Sequence, residues 1–203
     1  MLPGELNIGA DSHSCTYGAT GCYATGIGST DLAAAMATGR LWMQVPETYK
    51  LELIGQRPQS ILGKDIILHI IGMLGSAGVL NQAMEYAGDG LLDLPMEERL
   101  TMSNMAIEAG AQNGIFPYDE ITETFLKGRA KKPFTPVYAD ADAESGHSPD
   151  PYPDAHADAD HAPGVNLMRV FQIRGGTIRY RGGPANPLLH ATQLVPRFGV
   201  PPT

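Results

Sequence analysis

Strands alternating with helices predict an α/β architecture for this chain of 203 residues. Two segments carry the prediction. Tyr49-Lys50-Leu51-Glu52-Leu53 alternates with a period of two, the pattern of a half-buried strand. The run GKDIILHIIGMLG, from Gly63, is apolar on most sides and reads as a buried helix ending at Gly75.

The remaining elements follow in chain order. The first thirty residues read as loop, with a glycine every few positions in GADSHSCTYGATGCYATGIGSTD and little periodicity. A helix starts after Ser29 or Thr30, either of which can cap it, and Asp31 suits the positive end of its dipole. Leu32, Ala35, Met36 and Met43 form its apolar stripe, and it ends before Pro46. A second strand is expected around Val79 to Tyr86. Pro95 then opens a helix through MEERLTMSNMAIEAGA to about Ala111, supported by the acidic first turn at Glu97 and Glu98. A short helix is expected near Ile121 to Lys127. After about Ala143 the stretch ESGHSPDPYPDAHADADHAPGV repeats Ala, Asp, His and Pro without an apolar period and reads as loop or disorder. Residues 167–182 can form a small hairpin about Gly175-Gly176, and the last twenty residues are Pro-rich and unpatterned.

Composition narrows the function classes. Hydrophobic residues make up 43% and charged residues 18%, as in a globular enzyme rather than a disordered chain. The formal charge of −8 argues against a nucleic-acid partner, because phosphate binding wants a basic face. Anionic substrates remain open, since a site needs only a few local cations. The N-terminal residues lack a basic cluster followed by an apolar run. The longest apolar stretch, Ile66 to Leu74, is broken by His69 and Gly72 and is too short to cross a bilayer, so no membrane partner is expected. Cys15 and Cys22 share one Gly-rich segment and read as small buried thiols in a reducing cytoplasm rather than as a disulfide.

Several residues could carry chemistry, and each has a plain alternative. Asp11-Ser12-His13 lies in a Gly-rich loop, where a carboxylate near an imidazole can fix a tautomer and hold a proton donor. Equally, the Asp and Ser of such a loop can satisfy backbone amides. Asn104 and Glu108 are four apart in the helix from Pro95 and project from one face. Glu108 stands among small and apolar residues, where a His partner would offset its desolvation; the alternative is a solvated Glu on an amphipathic helix. The spacing of Cys15 and Cys22 matches no zinc or iron–sulfur pattern, so no metal ligand is assigned. Gly26 and Gly28 do not complete a dinucleotide fingerprint. His147, His156 and His161, interleaved with Asp150, Asp154, Asp158 and Asp160, read as compositional rather than metal-binding. His69 reads as a core histidine.

Three segments together resemble the aconitase superfamily, specifically its isopropylmalate dehydratase and homoaconitase branch. They are PGELNIGADSHSCTYGATGCYATGIGSTDLAAAMATGRLW, GKDIILHIIGMLGSAG and MEERLTMSNMAIEAGAQNGIFPYDE. The resemblance is nearly continuous from Pro3 to about Ala143. It implies three-layer α/β/α domains: the end of a first domain up to residue 48, most of a second over 49–143, and an irregular tail over 144–203. It also implies a hydro-lyase that interconverts 2- and 3-isopropylmalate in leucine biosynthesis, with homoaconitate, 2,3-dimethylmalate and citrate as the substrates next in line. By the same resemblance Asp11, Ser12, His13 and Glu108 are catalytic, with Glu108 and His13 approaching to hydrogen-bond distance, and Asn104 binds substrate. The family's small subunit is the implied partner. Its [4Fe–4S] cluster is held by three cysteines, one in a Ser-Cys-Thr-Asn segment and two in a Cys-x-x-Cys pair, which have no counterpart in these 203 residues. The substrate-binding arginines and the upstream Asp-His likewise have none. The expectation is a partial chain without turnover of its own, whose tail has the texture of a segment read out of frame.

Overall fold

The computed structural model describes residues 1–138 together with the backbone of 166–174 and 177–185. The strongest periodic signal gives the centre of the fold. Strand β3 (Thr48–Ile54) buries Tyr49, Leu51 and Leu53 and leaves the residues between them half-buried, as alternation requires. It pairs in parallel with β4 (Ala83–Ala87), and β4 pairs in parallel with β5 (Asn113–Ile115). Parallel neighbours need crossovers. Helix α2 (Gly63–Leu74) joins β3 to β4, and α3 (Met96–Met105) joins β4 to β5. The architecture is α/β, as the alternating pattern predicts. Helix α4 (Glu120–Leu126) follows β5.

On the other side of β3 lies β6 (Asn166–Arg174), parallel to it, and then β7 (Thr177–Ala185), antiparallel to β6, so the sheet order is β5-β4-β3-β6-β7. The expected hairpin about Gly175-Gly176 is this β6–β7 pair, added to the edge of the main sheet. The loop reading of the Asp- and His-rich stretch falls on residues outside those described.

Several boundaries differ from expectation. The first thirty residues are not all loop: β1 (Leu6–Gly9) and β2 (Tyr23–Gly26) pair in parallel, with a 3-10 segment (Ser12–Thr20) between them. Four residues ending in Gly are too few for a period to stand out, and the alternation of Leu6-Asn7-Ile8 covers barely one repeat. Helix α1 spans Ser29–Thr38, capped by Gly28 rather than by a side chain of Ser29 or Thr30. It ends at Gly39 in the left-handed region (φ 66°), well short of Pro46, and Ala35 is the buried member of its expected stripe while Met36 is exposed. The second strand begins at Ala83 rather than Val79. Pro95 is the N-cap of α3, which gives way to a 3-10 turn over Ala106–Ala109 before Gly110.

Helix α2 is amphipathic rather than buried all round: Ile66, Ile67 and Ile70 enter the core, while Leu68 and Met73 face outward. His69 lies on that outer face and is exposed, which corrects the core reading. A helix covering one side of a sheet needs a single apolar stripe, and the second row of apolar residues on α2 is left for solvent or a neighbour.

The core joins Leu51, Leu53, Met84, Tyr86, Met102 and Phe116 with the three α2 isoleucines. Tyr86 stacks on Phe116 at a centroid distance of 4.4 Å. Arg99 is fully buried in this layer. Its guanidinium donates to the carbonyls of Leu91 and Leu94 and to both oxygens of Asp119, which in turn caps α4 by accepting from the Thr122 amide. Among the described residues no helix is long and apolar enough to cross a membrane.

Candidate active site

The Gly-rich loop is rigid because other backbones press on it from two directions. A Cβ at Gly26 on β2 would sit 2.6 Å from the Asp11 carbonyl oxygen and 3.0 Å from Ser12 Cα, so β2 can approach the loop this closely only through glycine. At its far end a Cβ on Gly18 would sit 2.0 Å from the Gly114 carbonyl oxygen, and the Phe116 amide donates to the Gly18 carbonyl at 3.0 Å. The start of the loop is thus set by the β1–β2 pair, and its end by β5.

A third set of contacts joins the loop to the end of α3. Cys15 Sγ donates to the Asn104 carbonyl at 3.4 Å. Asn104 Nδ2 donates to Thr16 Oγ1 at 2.8 Å, and the Thr16 hydroxyl donates to the His13 carbonyl at 2.7 Å. One turn beyond Asn104, Glu108 Oε1 lies 3.5 Å from His13 Nε2. On the other side of the ring, Ser12 Oγ is 3.0 Å from Nδ1. His13 departs from helical geometry within the 3-10 segment (φ −87°, ψ 15°).

The structure therefore brings Ser12, His13 and Glu108 together and sets Asn104 beside the loop. Asp11 stands apart: its carbonyl accepts from the Ser14 amide, while its exposed carboxylate makes no hydrogen bond or ion pair among the described residues. The carboxylate near the imidazole is Glu108, 95 positions along the chain. Glu108 is not sunk in the core as its apolar neighbours suggest. Its side chain is 55% exposed and that of His13 41%, because the 3-10 turn rotates Glu108 to the surface. A carboxylate facing Nε2 wants the proton there, which leaves Nδ1 to accept from the Ser12 hydroxyl in the neutral ring. The set can orient an imidazole and exchange a proton with a group bound beside it. Thr16 was not among the residues singled out from sequence, although its place three positions after His13 is a familiar spacing for hydroxyl-to-backbone bonding.

An open groove of about 960 Å³ runs from Ser12 past Gly28 and Ile107 to Trp42, Leu80 and Gln112. Among the described residues its lining contains no Lys or Arg, so these offer an anionic substrate no cation there.

The residues present do not fit an iron–sulfur cluster. Both thiols are free and fully buried, Cys15 against the Asn104 carbonyl and Cys22 against the Tyr17 carbonyl at 3.0 Å. Burial above all, with the Asp11 and Glu108 carboxylates adding, pushes the Cys15 thiol up to about 11; burial also raises Cys22. A cluster ligand is a reachable thiolate, and these are inaccessible thiols. Among the described residues no three His, Cys, Asp or Glu side chains gather as a metal site.

Comparison with known proteins agrees with the resemblance read from the loop and helices. The model of the aconitase family (aconitate hydratase) matches residues 1–169. The chain is 57% identical over 144 residues to a 3-isopropylmalate dehydratase large subunit of Caldicellulosiruptor saccharolyticus, covering 71% of this chain and 34% of that protein. It is 57% identical over 143 residues to one of Syntrophus aciditrophicus (70% and 34%) and 56% identical over 144 residues to one of Clostridium beijerinckii (71% and 34%). The chain spans about a third of the length of these curated relatives. With one family accounting for residues 1–169, the loop and the α3 turn that meet at His13 included, the chain belongs to the aconitase family.

Proposed function

We propose that this chain is the proton-handling segment of a hydro-lyase large subunit that interconverts 2- and 3-isopropylmalate, in leucine biosynthesis. The observation that carries the reading is the approach of Glu108 Oε1 to His13 Nε2 across 95 positions of chain. Losing water from a hydroxy acid requires a proton for the departing hydroxyl, and returning water requires that proton to be taken back. In this reading the neutral imidazole holds its proton at Nε2, facing Glu108, and Ser12 fixes the ring by donating to Nδ1. Asn104 braces the loop and lines the substrate's approach, and Asp11 keeps a carboxylate at its mouth. The cluster that the family implies enters none of these steps, because its ligands are not among these residues.

The two sheets support a division near residue 48, between the end of one α/β domain and a second; the sheet of that second domain draws on residues 166–185 as well as on the expected 49–143. The relatives' name as large subunits supports a small-subunit partner, and the groove without cations supports substrate carboxylates being held by other parts of the assembly. Two free buried thiols support a reducing, cytoplasmic setting.

A chimera tests the reading. The aligned 144-residue segment would replace its counterpart in the Caldicellulosiruptor saccharolyticus relative, assembled with that organism's small subunit. The expected chimera turns over isopropylmalate, and His13→Gln or Glu108→Gln within it lowers kcat by about 10²–10⁴-fold with little change in KM. Turnover of homoaconitate, 2,3-dimethylmalate or citrate in preference would replace the substrate. A folded, cluster-loaded chimera inert on all four would sink the enzyme reading.

A further inference from the structure

We infer that Thr16 is a positioning residue, whose single hydroxyl ties the backbone of His13 to the end of α3 and so sets the imidazole against Glu108. The inference rests on the proton-handling reading of that pair.

The direct contact between the two side chains is too weak to place them. At 3.5 Å, with both side chains substantially exposed, an ion pair of this kind contributes little. It cannot by itself immobilise a Glu with three rotatable bonds and a ring on a loop. The ring must be delivered by its backbone, and the backbone must be referenced to the element that carries Glu108.

Thr16 makes that reference. Its hydroxyl donates to the His13 carbonyl at 2.7 Å, which a Thr at this spacing often does for local reasons. The same oxygen also accepts from Asn104 Nδ2 at 2.8 Å, and Asn104 lies 88 positions away, one turn before Glu108. Donor and acceptor bonds through one hydroxyl polarise each other, so the pair holds more firmly than two separate bonds. Cys15 adds a weaker parallel tie through its thiol to the Asn104 carbonyl. Without the hydroxyl, the His13 carbonyl loses this bond and the Asn104 amide its tie to the loop, so that between the two glycine joints only the Cys15 thiol still links the segment around His13 to α3. Displacements of about 1 Å at such a centre are costly.

Two substitutions separate the hydroxyl from the shape of the side chain. Thr16→Val keeps the shape and removes the hydroxyl; Thr16→Ser keeps the hydroxyl and removes a methyl. The readout is the ¹⁵N spectrum of the imidazoles in the intact 203-residue chain, with His13 assigned among the six histidines by His13→Gln. The expected native spectrum has the His13 proton on Nε2. Thr16→Val is expected to move the His13 nitrogens towards the averaged shifts of a free imidazole, and Thr16→Ser to leave them at native values. A folded Thr16→Val protein with a native His13 spectrum would overturn the proposal. So would a folded Thr16→Ser protein with a displaced one, and this arm decides the matter if the Val variant does not fold. These spectra report where His13 sits and not whether turnover occurs. Responsive spectra beside an inert chimera would therefore retire the hydro-lyase reading and leave the positioning role intact.

Discussion

Burial holds the Cys15 thiol at about 11, against an ordinary 9.0, and raises Cys22 in the same direction. At pH 8 neither thiol of the folded chain should react with iodoacetamide except through unfolding, while the urea-unfolded chain should titrate both. Rapid native labelling of Cys15 would show that the loop does not pack on α3 as described. The linkage has a definite sign. A group whose value is raised by folding stabilises the folded state fully below its unfolded value, and that contribution is lost as the pH rises through its folded value. The urea midpoint should therefore fall between pH 9 and about 11, and less steeply in Cys15→Ala. Sequence reading singled out Asp11, Ser12, His13, Asn104 and Glu108 as polar residues in a Gly-rich loop or on a small-residue helix face, and only the family resemblance implied roles for them. It did not find Thr16, whose importance lies in a bond to a residue 88 positions away.

Among the elements, two joints can be broken singly. Gly18→Ala would drive a Cβ into the Gly114 carbonyl, a backbone atom that cannot swing aside. The expected loss is about 1–3 kcal/mol, as for overpacking elsewhere, read as a lower urea midpoint with unchanged slope. The second joint is Arg99–Asp119, which binds the first turn of α3 to the cap of α4. Asp119→Ala would strand a fully buried guanidinium, and about 3–5 kcal/mol should be lost. Burial raises the Asp119 carboxyl, but the hydrogen bonds and charge of Arg99, with the Thr122 amide, outweigh it and hold the group below its ordinary 3.8. A depressed carboxyl contributes its stability above its unfolded value and loses it as the pH falls through the folded value. The acid limb attributable to this pair should lie below pH 3.8, and Asp119→Asn should flatten it. A native-like acid limb in that variant would assign the loss to another carboxylate.

Across the whole molecule, large apolar side chains remain outside. Trp42 is 84% exposed and Met36 75%, and Leu80 and Leu92 are exposed on the loops before and after β4. Apolar surface on this scale favours association. Sedimentation velocity should show self-association that rises with concentration, and Trp42→Ser should reduce it. A monodisperse monomer across the accessible range would count against this expectation.

What the amino-acid sequence determined by itself is the set of elements with a clear period and the residues with chemistry to offer. Tyr49 to Leu53 alternates and is a strand, and the apolar run after Gly63 is a helix, because local periodicity matches the geometry of each. The tertiary structure decided what has no local signature. It paired LNIG with YATG, turned His69 outward, and brought Glu108 to the imidazole, an approach that the family resemblance implies and no local pattern shows. Each depends on hydrogen bonds or packing between residues far apart in the chain, and these are settled only when the sheets and α3 close around the Gly-rich loop.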